Sequence, residues 1–300
     1  GGYYGGVLAR AGHEVVFIAR GENLRAVREK GLRVESAKVG AFTIRAQATD
    51  DPKAVGPVDL VLLCVKTYHN REAVPALKPL IGHETRVLTL QNGVESGEQI
   101  ASAYGWEHAL PGATYIETAL KGSGVVAQTG GPCRIIFGER DGRESPSARR
   151  VLEALQVPGI EAVLSRAITR DLWEKFLYIC AMSGTMCLAR ASLEEVLGHP
   201  ETRGLFMQVL REVEAVGRAK GVPLEADIVE RVFQTAYEGR KEAVSSMRVD
   251  LERGRRLEVE ALNGAVSRMG REVGVPTPVN DVIAAVLRLA DERVRRAGPS

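Results

Sequence analysis

The chain opens Gly1-Gly2-Tyr3-Tyr4-Gly5-Gly6-Val7-Leu8-Ala9-Arg10-Ala11-Gly12-His13 and continues directly into an apolar run at residues 14–19. A glycine-rich entry into a helix, followed by a strand, is typical of the second half of a βαβ unit that binds a dinucleotide. Glycines there let the backbone and the helix N-terminus approach a pyrophosphate, so we expect Gly1 and Gly2 to contact a cofactor. The alternative is a glycine-rich contact between two helices. Because the central first strand of such a unit is missing, we expect the natural chain to extend upstream by roughly ten residues.

The two halves of the chain differ in pattern. Residues 60–65 and 86–90 are continuous apolar runs between helical segments, which predicts a parallel sheet covered on both faces. Extended, Gly-punctuated residues 112–138 predict antiparallel strands that finish this domain. The sequence therefore predicts an α/β fold, with a Rossmann-type doubly wound parallel sheet over residues 1–165. An all-helical domain is expected over residues 166–300, with helices near 168–188, 201–219, 225–238, 242–252, 255–273 and 278–296.

Composition excludes several classes of protein. The formal net charge is only +2, so no basic footprint indicates nucleic acid. No apolar run approaches the ~20 residues of a membrane span. The four cysteines have no CxxC spacing and no nearby histidine, so we expect no metal site and a reduced, cytoplasmic setting.

Polar residues follow three of the predicted strands, where ligands bind in open α/β sheets. Arg20 ends the strand after the glycine-rich helix, and an arginine there accommodates the 2′-phosphate of NADP, which favours NADP(H) over NAD. Lys66 and Asn92 follow the next two strands and are candidate cofactor contacts, with Asn92 also a candidate for substrate. The alternatives are a solvated arginine at a strand end and an ordinary Asn-Gly turn at Asn92-Gly93.

Lys175 is embedded in an apolar helical run that carries no further charge until Arg190. A buried lysine is costly unless it is paired, and its pKa shifts readily on desolvation, which suits proton transfer. The alternative is a surface lysine that lays its stem on apolar residues. Glu258, expected on a late helix among apolar neighbours, is a candidate partner. Ser246 lies upstream in Ser245-Ser246-Met247.

These segments, in this order along the whole chain, closely resemble the ketopantoate reductase (2-dehydropantoate 2-reductase) family of the 6-phosphogluconate dehydrogenase-like group. The resemblance implies a Rossmann domain, a helical domain and an active site in the cleft between them. It also implies NADPH-dependent reduction of the 2-keto group of ketopantoate to pantoate, on the route to coenzyme A. The expected partner is a small-molecule 2-keto acid, and a homodimer is compatible with the sequence.

The resemblance also assigns roles to residues. It makes Lys175 the proton donor, assigns substrate to Asn92, Ser246 and Glu258, and assigns the 2′-phosphate to Arg20. Glu117 falls near the segment whose backbone meets the nicotinamide end.

The chain departs from the family on the helix after the lysine. Where the family often has asparagines, this chain has Ile179 and Ser183. Ser183 could still donate a hydrogen bond to substrate, whereas Ile179 could not. Two alternatives therefore stay open: a reductase of another 2-keto or 3-hydroxy acid, and a non-catalytic NADP(H) sensor.

Overall fold

The computed structural model describes residues 1–297, which form two compact units. The first unit comprises Gly1–Gln91 and Ser96–Ile168. The second unit comprises the short segment Asn92–Glu95 and the chain from Thr169 onward. The first unit therefore ends at Ile168, and one four-residue segment from the first half of the chain belongs with the helices.

The first unit mixes short helices and strands. Its helices are α1 (Gly2–Arg10), α2 (Gly21–Lys30), α3 (Asn70–Ala76), α4 (Ser96–Tyr104) and α5 (Pro146–Leu155). Its strands are β1 (Val16–Ile18), β2 (Leu32–Ser36), β3 (Gly40–Ile44), β4 (Gln47–Thr49), β5 (Leu60–Leu63), β6 (Arg86–Thr89), β7 (Ala109–Leu110), β8 (Gly112–Gly122), β9 (Val125–Phe137) and β10 (Glu161–Leu164).

The strands confirm a parallel, Rossmann-like sheet pattern. Strand β1 pairs in parallel with β4, and β5, β6 and β7 form a second parallel group. Within residues 1–297 these two groups do not pair with each other. The expected antiparallel pair is β8 with β9, and β9 also pairs in parallel with β2 and β10. Buried β6 and β9 side chains contribute to the core, among them Leu88 and Ile135, which are fully buried.

Five strands in the first unit were not expected from the sequence: β2, β3, β4, β7 and β10. Strands β2 and β3 form an antiparallel hairpin, and β4 pairs in parallel with β1. The signal for β2 was present as alternation, because Leu32 and Val34 are buried while Arg33 between them is exposed. The polar residues between them make this run look less like a strand than the continuous apolar runs of a buried sheet.

In the described part of the chain, the second unit has no strand and is helical, as expected. Its helices are α6 (Ile168–Ala189), α7 (Leu193–Gly198), α8 (Pro200–Ala219), α9 (Ile228–Glu238), α10 (Ser246–Glu252), α11 (Asn263–Val273) and α12 (Pro278–Ala297). Two differences from the sequence prediction stand out. Helix α7 was missed, although its capping box of Ser192 and Glu195 is visible in the sequence. The predicted helix 255–273 is wrong in its first half, which is irregular before a 3₁₀ turn at Val259–Ala261.

A buried carboxylate organises the helical unit. Glu212 on α8 is 3% exposed and accepts hydrogen bonds from the backbone N–H groups of Val279 and Asn280, each at 3.0 Å. It also accepts one from Asn280 Nδ2 at 2.8 Å. The first turn of a helix leaves such N–H groups without intrahelical partners, and a negative charge there is favourable. Glu212 therefore caps α12 from a neighbouring helix.

Replacing Glu212 tests this cap. In Glu212→Ala the buried donors of α12 lose their acceptor, and we expect the free energy of unfolding to fall by about 2–5 kcal/mol. Urea denaturation followed by circular dichroism measures the loss. The matched control is Glu214→Ala on the same helix, which removes only a partly exposed pair with Arg218 and should cost less than about 1 kcal/mol. Equal losses would contradict the cap.

Candidate active site

Lys175 lies on α6 among side chains that fix the helix in the core. Trp173 and Phe176 are buried and contact each other edge to face, with ring centroids 5.5 Å apart. Leu177 is fully buried. Lys175 itself is only partly exposed. Because Trp173, Phe176 and Leu177 pack into the core, this turn of α6 is held in place and Lys175 with it.

Asn92 and Glu258, both in the second unit, act on the Lys175 ammonium. Its Nζ donates a hydrogen bond to Asn92 Oδ1 at 3.2 Å. Burial lowers the pKa of Lys175 to about 8, and the carboxylate of Glu258 opposes that shift by attracting the positive charge. Glu258 is only 6% exposed. The arrangement is therefore a desolvated cation whose pKa lies close to physiological pH.

Asn92 reaches Lys175 because its segment packs against the helices. Gly93 has φ +90°, and a Cβ there would lie 2.7 Å from the backbone oxygen of Ala261. Only glycine allows both this left-handed conformation and this close approach. The Asn-Gly pair thus has a packing role beyond ordinary turn formation.

Glu258 lies on an irregular segment, which corrects its expected position on a helix. It immediately precedes the 3₁₀ turn Val259–Ala261. The backbone N–H of Leu257 donates to Asp291 Oδ1 on α12 at 2.8 Å. This bond to a side chain replaces the helical hydrogen bond that the sequence pattern led us to expect, and it fixes the residue next to Glu258.

The serine candidates occupy contrasting positions. Ser183 lies two turns beyond Lys175, is 2% exposed, and accepts a hydrogen bond from Ser245 Oγ at 3.1 Å. Ser245 in turn caps α10 by accepting from the backbone N–H of Arg248. Ser246, the first residue of α10, is exposed. Ser183 as a substrate contact stays a prediction, and the bond that it accepts from Ser245 does not use its own O–H proton.

The candidate cofactor residues belong to the first unit. Gly1 occupies the N-cap position of α1, and a Cβ on Gly2 would lie 2.6 Å from Val126 Cγ2, so a larger residue there would force Val126 to move. Within residues 1–297 no side chain caps the first turn of α1. Its backbone N–H groups therefore fit an anion such as a pyrophosphate.

The other cofactor candidates lie at strand ends or on β8. Arg20 follows β1, and its highly exposed guanidinium lies 3.9 Å from Glu72. Lys66 is partly buried at the start of a 3₁₀ turn that follows β5. Glu117 lies on β8 opposite Gly130, where the register of the two strands shifts. Their roles in cofactor binding stay predictions.

Some residues near Asn92 that the structure suggests as functional candidates were not predicted from the sequence. Gln91 is 6% exposed, and its Nε2 donates to the backbone oxygen of Val65 at 2.7 Å and to Asn70 Oδ1 at 2.6 Å. It therefore ties together the ends of β5 and β6. Its position before Asn92 was the only available signal. The pair of Glu95 with Arg268 left no signal, because its members are far apart in the sequence.

The described residues offer neither a metal-binding cluster nor a membrane-spanning helix. Among residues 1–297, no cluster of three or more histidine, cysteine, aspartate or glutamate side chains could hold a metal ion. No helix in the described chain is sufficiently long and apolar to cross a bilayer. The four cysteines are free thiols, and burial raises the pKa of Cys187 to about 12. Cys180 and Cys187 are therefore packing residues of α6.

A Rossmann-like, parallel-stranded unit followed by a helical unit is the architecture of a pyridine-nucleotide-dependent oxidoreductase. The model of the family described as Ketopantoate reductase PanE/ApbA matches residues 1–142, and the model of its C-terminal domain matches residues 167–291. The chain belongs to the ketopantoate reductase family.

Full-length relatives agree with the family models. A 2-dehydropantoate 2-reductase of Halobacterium salinarum is 32% identical, over 97% of this chain and 95% of its own length. An uncharacterized oxidoreductase of Bacillus subtilis, YkpB, is 28% identical, over 96% and 95% respectively. The solved structure of a PanE/ApbA family ketopantoate reductase from Ralstonia eutropha has a TM-score of 0.88 at 31% identity, over 97% and 95%. A D-mandelate dehydrogenase, at 22% identity and TM-score 0.88, shares the fold.

Replacing Glu258 tests the electrostatics of the site. The carboxylate favours the ammonium form, so Glu258→Gln should lower the pKa of Lys175 below about 8. The pH dependence of acetylation of Lys175, followed by mass spectrometry of its peptide, measures this pKa. Glu252→Gln on α10 is the control, because Glu252 pairs with Arg248, and it should leave the pKa unchanged. A higher pKa in Glu258→Gln would contradict the assignment.

Proposed function

We propose that this protein reduces the 2-keto group of ketopantoate to pantoate with NADPH. The observation that carries the proposal is the Lys175 ammonium, desolvated on α6 and held between Asn92 and Glu258. Membership of the ketopantoate reductase family, and curated relatives named 2-dehydropantoate 2-reductase, support the same reaction.

Lys175 supplies what carbonyl reduction requires. When bound, the reduced nicotinamide supplies the hydride, and negative charge then develops on the carbonyl oxygen. A hydrogen-bonded ammonium stabilises that charge and donates the proton. With a pKa of about 8, Lys175 is mostly protonated at pH 7 and yet gives up its proton more readily than an ordinary lysine. Glu258 maintains the ammonium form, and the Asn92 amide orients it.

The remaining candidates divide between cofactor and substrate. The uncapped N-terminus of α1, at Gly1 and Gly2, would hold the pyrophosphate, and Arg20 would bind the 2′-phosphate that distinguishes NADPH from NADH. The exposed hydroxyl of Ser246, together with Asn92, would hold the substrate carboxylate or hydroxyl. Lys66 and Glu117 are proposed to act on the cofactor.

Removal of Lys175 tests the proposed reaction. NADPH oxidation with ketopantoate should fall by about 10²–10⁴-fold in kcat for Lys175→Ala, as expected on loss of a general acid. In the parent, kcat/KM should fall above pH of about 8, because Lys175 must carry its proton. NADH in place of NADPH should give a lower kcat/KM. The control is Lys220→Ala, a surface lysine near Glu272 that should leave kcat unchanged.

Two outcomes would overturn this proposal. Lys175→Ala with kcat within a few-fold of the parent would remove its proton-donating role. NADPH binding to the parent with no turnover of any 2-keto acid would favour the non-catalytic sensor instead.

A second candidate, reduction of a 2-keto acid without a hydroxyl, is favoured by the helix face beyond Lys175. Ile179, one turn along α6, is partly exposed and apolar, and Val94 and Tyr178 pack against the same core. Ser183, the next polar group along this face, is buried against Ser245. A substrate lying along this face would therefore find few side chains that could hydrogen-bond to a hydroxyl group.

Two substrates that differ by one hydroxyl separate the candidates. Ketopantoate and 3,3-dimethyl-2-oxobutanoate have the same skeleton, and an apolar face should separate their kcat/KM values by less than about 100-fold. Ile179→Asn should then increase the preference for ketopantoate by about tenfold or more, whereas the control Ile179→Leu should not. A parent enzyme that rejects the hydroxyl-free acid by about 10⁴-fold would rule out the second candidate.

A further inference from the structure

The segment that carries Asn92 is bound to α11 by a bidentate ion pair. Arg268 Nη1 donates to Glu95 Oε1 at 2.8 Å, and Nη2 donates to Glu95 Oε2 at 2.7 Å. The planar guanidinium matches the carboxylate in this geometry, so the pair fixes orientation as well as distance. Glu95 is thereby held three residues after Asn92, on the same segment that packs with the helices.

The guanidinium is itself held in place. Arg268 Nη1 lies 3.7 Å from Glu272, one turn along α11. The nearby carboxylate of Glu260 is engaged by Arg288 on α12, at 2.6 and 2.9 Å. The two terminal nitrogens of the Arg268 guanidinium are therefore held toward the Glu95 carboxylate.

Three successive contacts hold the segment Asn92–Glu95. Asn92 Oδ1 accepts from Lys175, Gly93 packs on the Ala261 backbone oxygen, and Glu95 binds Arg268. The tight approach at Gly93 leaves little freedom to the residue beside it. A displacement at Glu95 would therefore reach the Asn92 amide through only two intervening residues.

The ion pair contributes geometry more than stability. The side chains of Arg268 and Glu95 are 44% and 28% exposed, and pairs of this exposure contribute little to the free energy of unfolding. Catalysis is more sensitive to placement, because a displacement of about 1 Å can cost up to 10²-fold in rate.

We propose that Glu95 and Arg268 are positioning residues that hold the Asn92 amide against Lys175 during carbonyl reduction. This inference rests on the proposed function. A merely structural pair would instead affect folding and activity without acting through Asn92.

A double-mutant cycle separates these two roles. Arg268→Ala should lower kcat for ketopantoate by about tenfold in the parent, and by less than about twofold when Asn92 is already alanine. Glu95→Gln should behave like Arg268→Ala. The control is Arg271→Ala on the same helix, because Arg271 pairs with Asp281 of α12 and should leave kcat unchanged. Equal losses in both Asn92 backgrounds, or an equal loss in Arg271→Ala, would overturn the proposal.

A second readout does not need turnover. If Arg268 acts through Asn92, Arg268→Ala should shift the acetylation pKa of Lys175 in the same direction as Asn92→Ala does. No shift in Arg268→Ala, alongside a clear shift in Asn92→Ala, would overturn the positioning role. This measurement separates failure of the ion pair from failure of the proposed function, since a parent that reduces no 2-keto acid still reports the pKa of Lys175.

Discussion

The hydrogen bond from the Lys175 ammonium to Asn92 is the interaction around which the candidate site is built. Burial of a cation costs several kcal/mol unless polar groups compensate for the lost water. Asn92 and Glu258 provide that compensation from elements far apart in the sequence. The requirement explains why the segment Asn92–Glu95 belongs with the helices even though the chain on both sides of it belongs to the first unit.

A network of buried hydrogen bonds fixes the relative positions of the helices that surround this arrangement. Glu212 accepts from Asn280, whose Oδ1 accepts from Asn263 Nδ2, and the same nitrogen donates to the backbone oxygen of Cys180. These bonds link α8, α12, α11 and α6, and all the residues that form them are almost fully buried. Buried polar groups of this kind tolerate few alternative packings, because each one left without a partner costs about 1–3 kcal/mol.

In the function that we propose, the chemistry and the substrate preference depend on different parts of α6. Lys175 is the residue that we assign to proton transfer, and its environment sets its pKa. We propose that Ile179 and Ser183, on the following two turns, influence which keto acid is accepted. An apolar residue and a serine engaged by Ser245 make this face less polar than a hydroxyl-bearing substrate would favour.

The sequence by itself determined the parallel-stranded unit, the helical unit and Lys175 as the principal candidate, because continuous apolar strands and a lone charge in an apolar helix are local patterns. Tertiary structure decided what no local pattern contains. It brought Asn92 to Lys175, placed Glu258 on an irregular segment through the bond from Leu257 to Asp291, and joined Glu95 to Arg268. Such contacts depend on how helices pack, since compensation of a buried charge comes from whichever chain lies nearest in space.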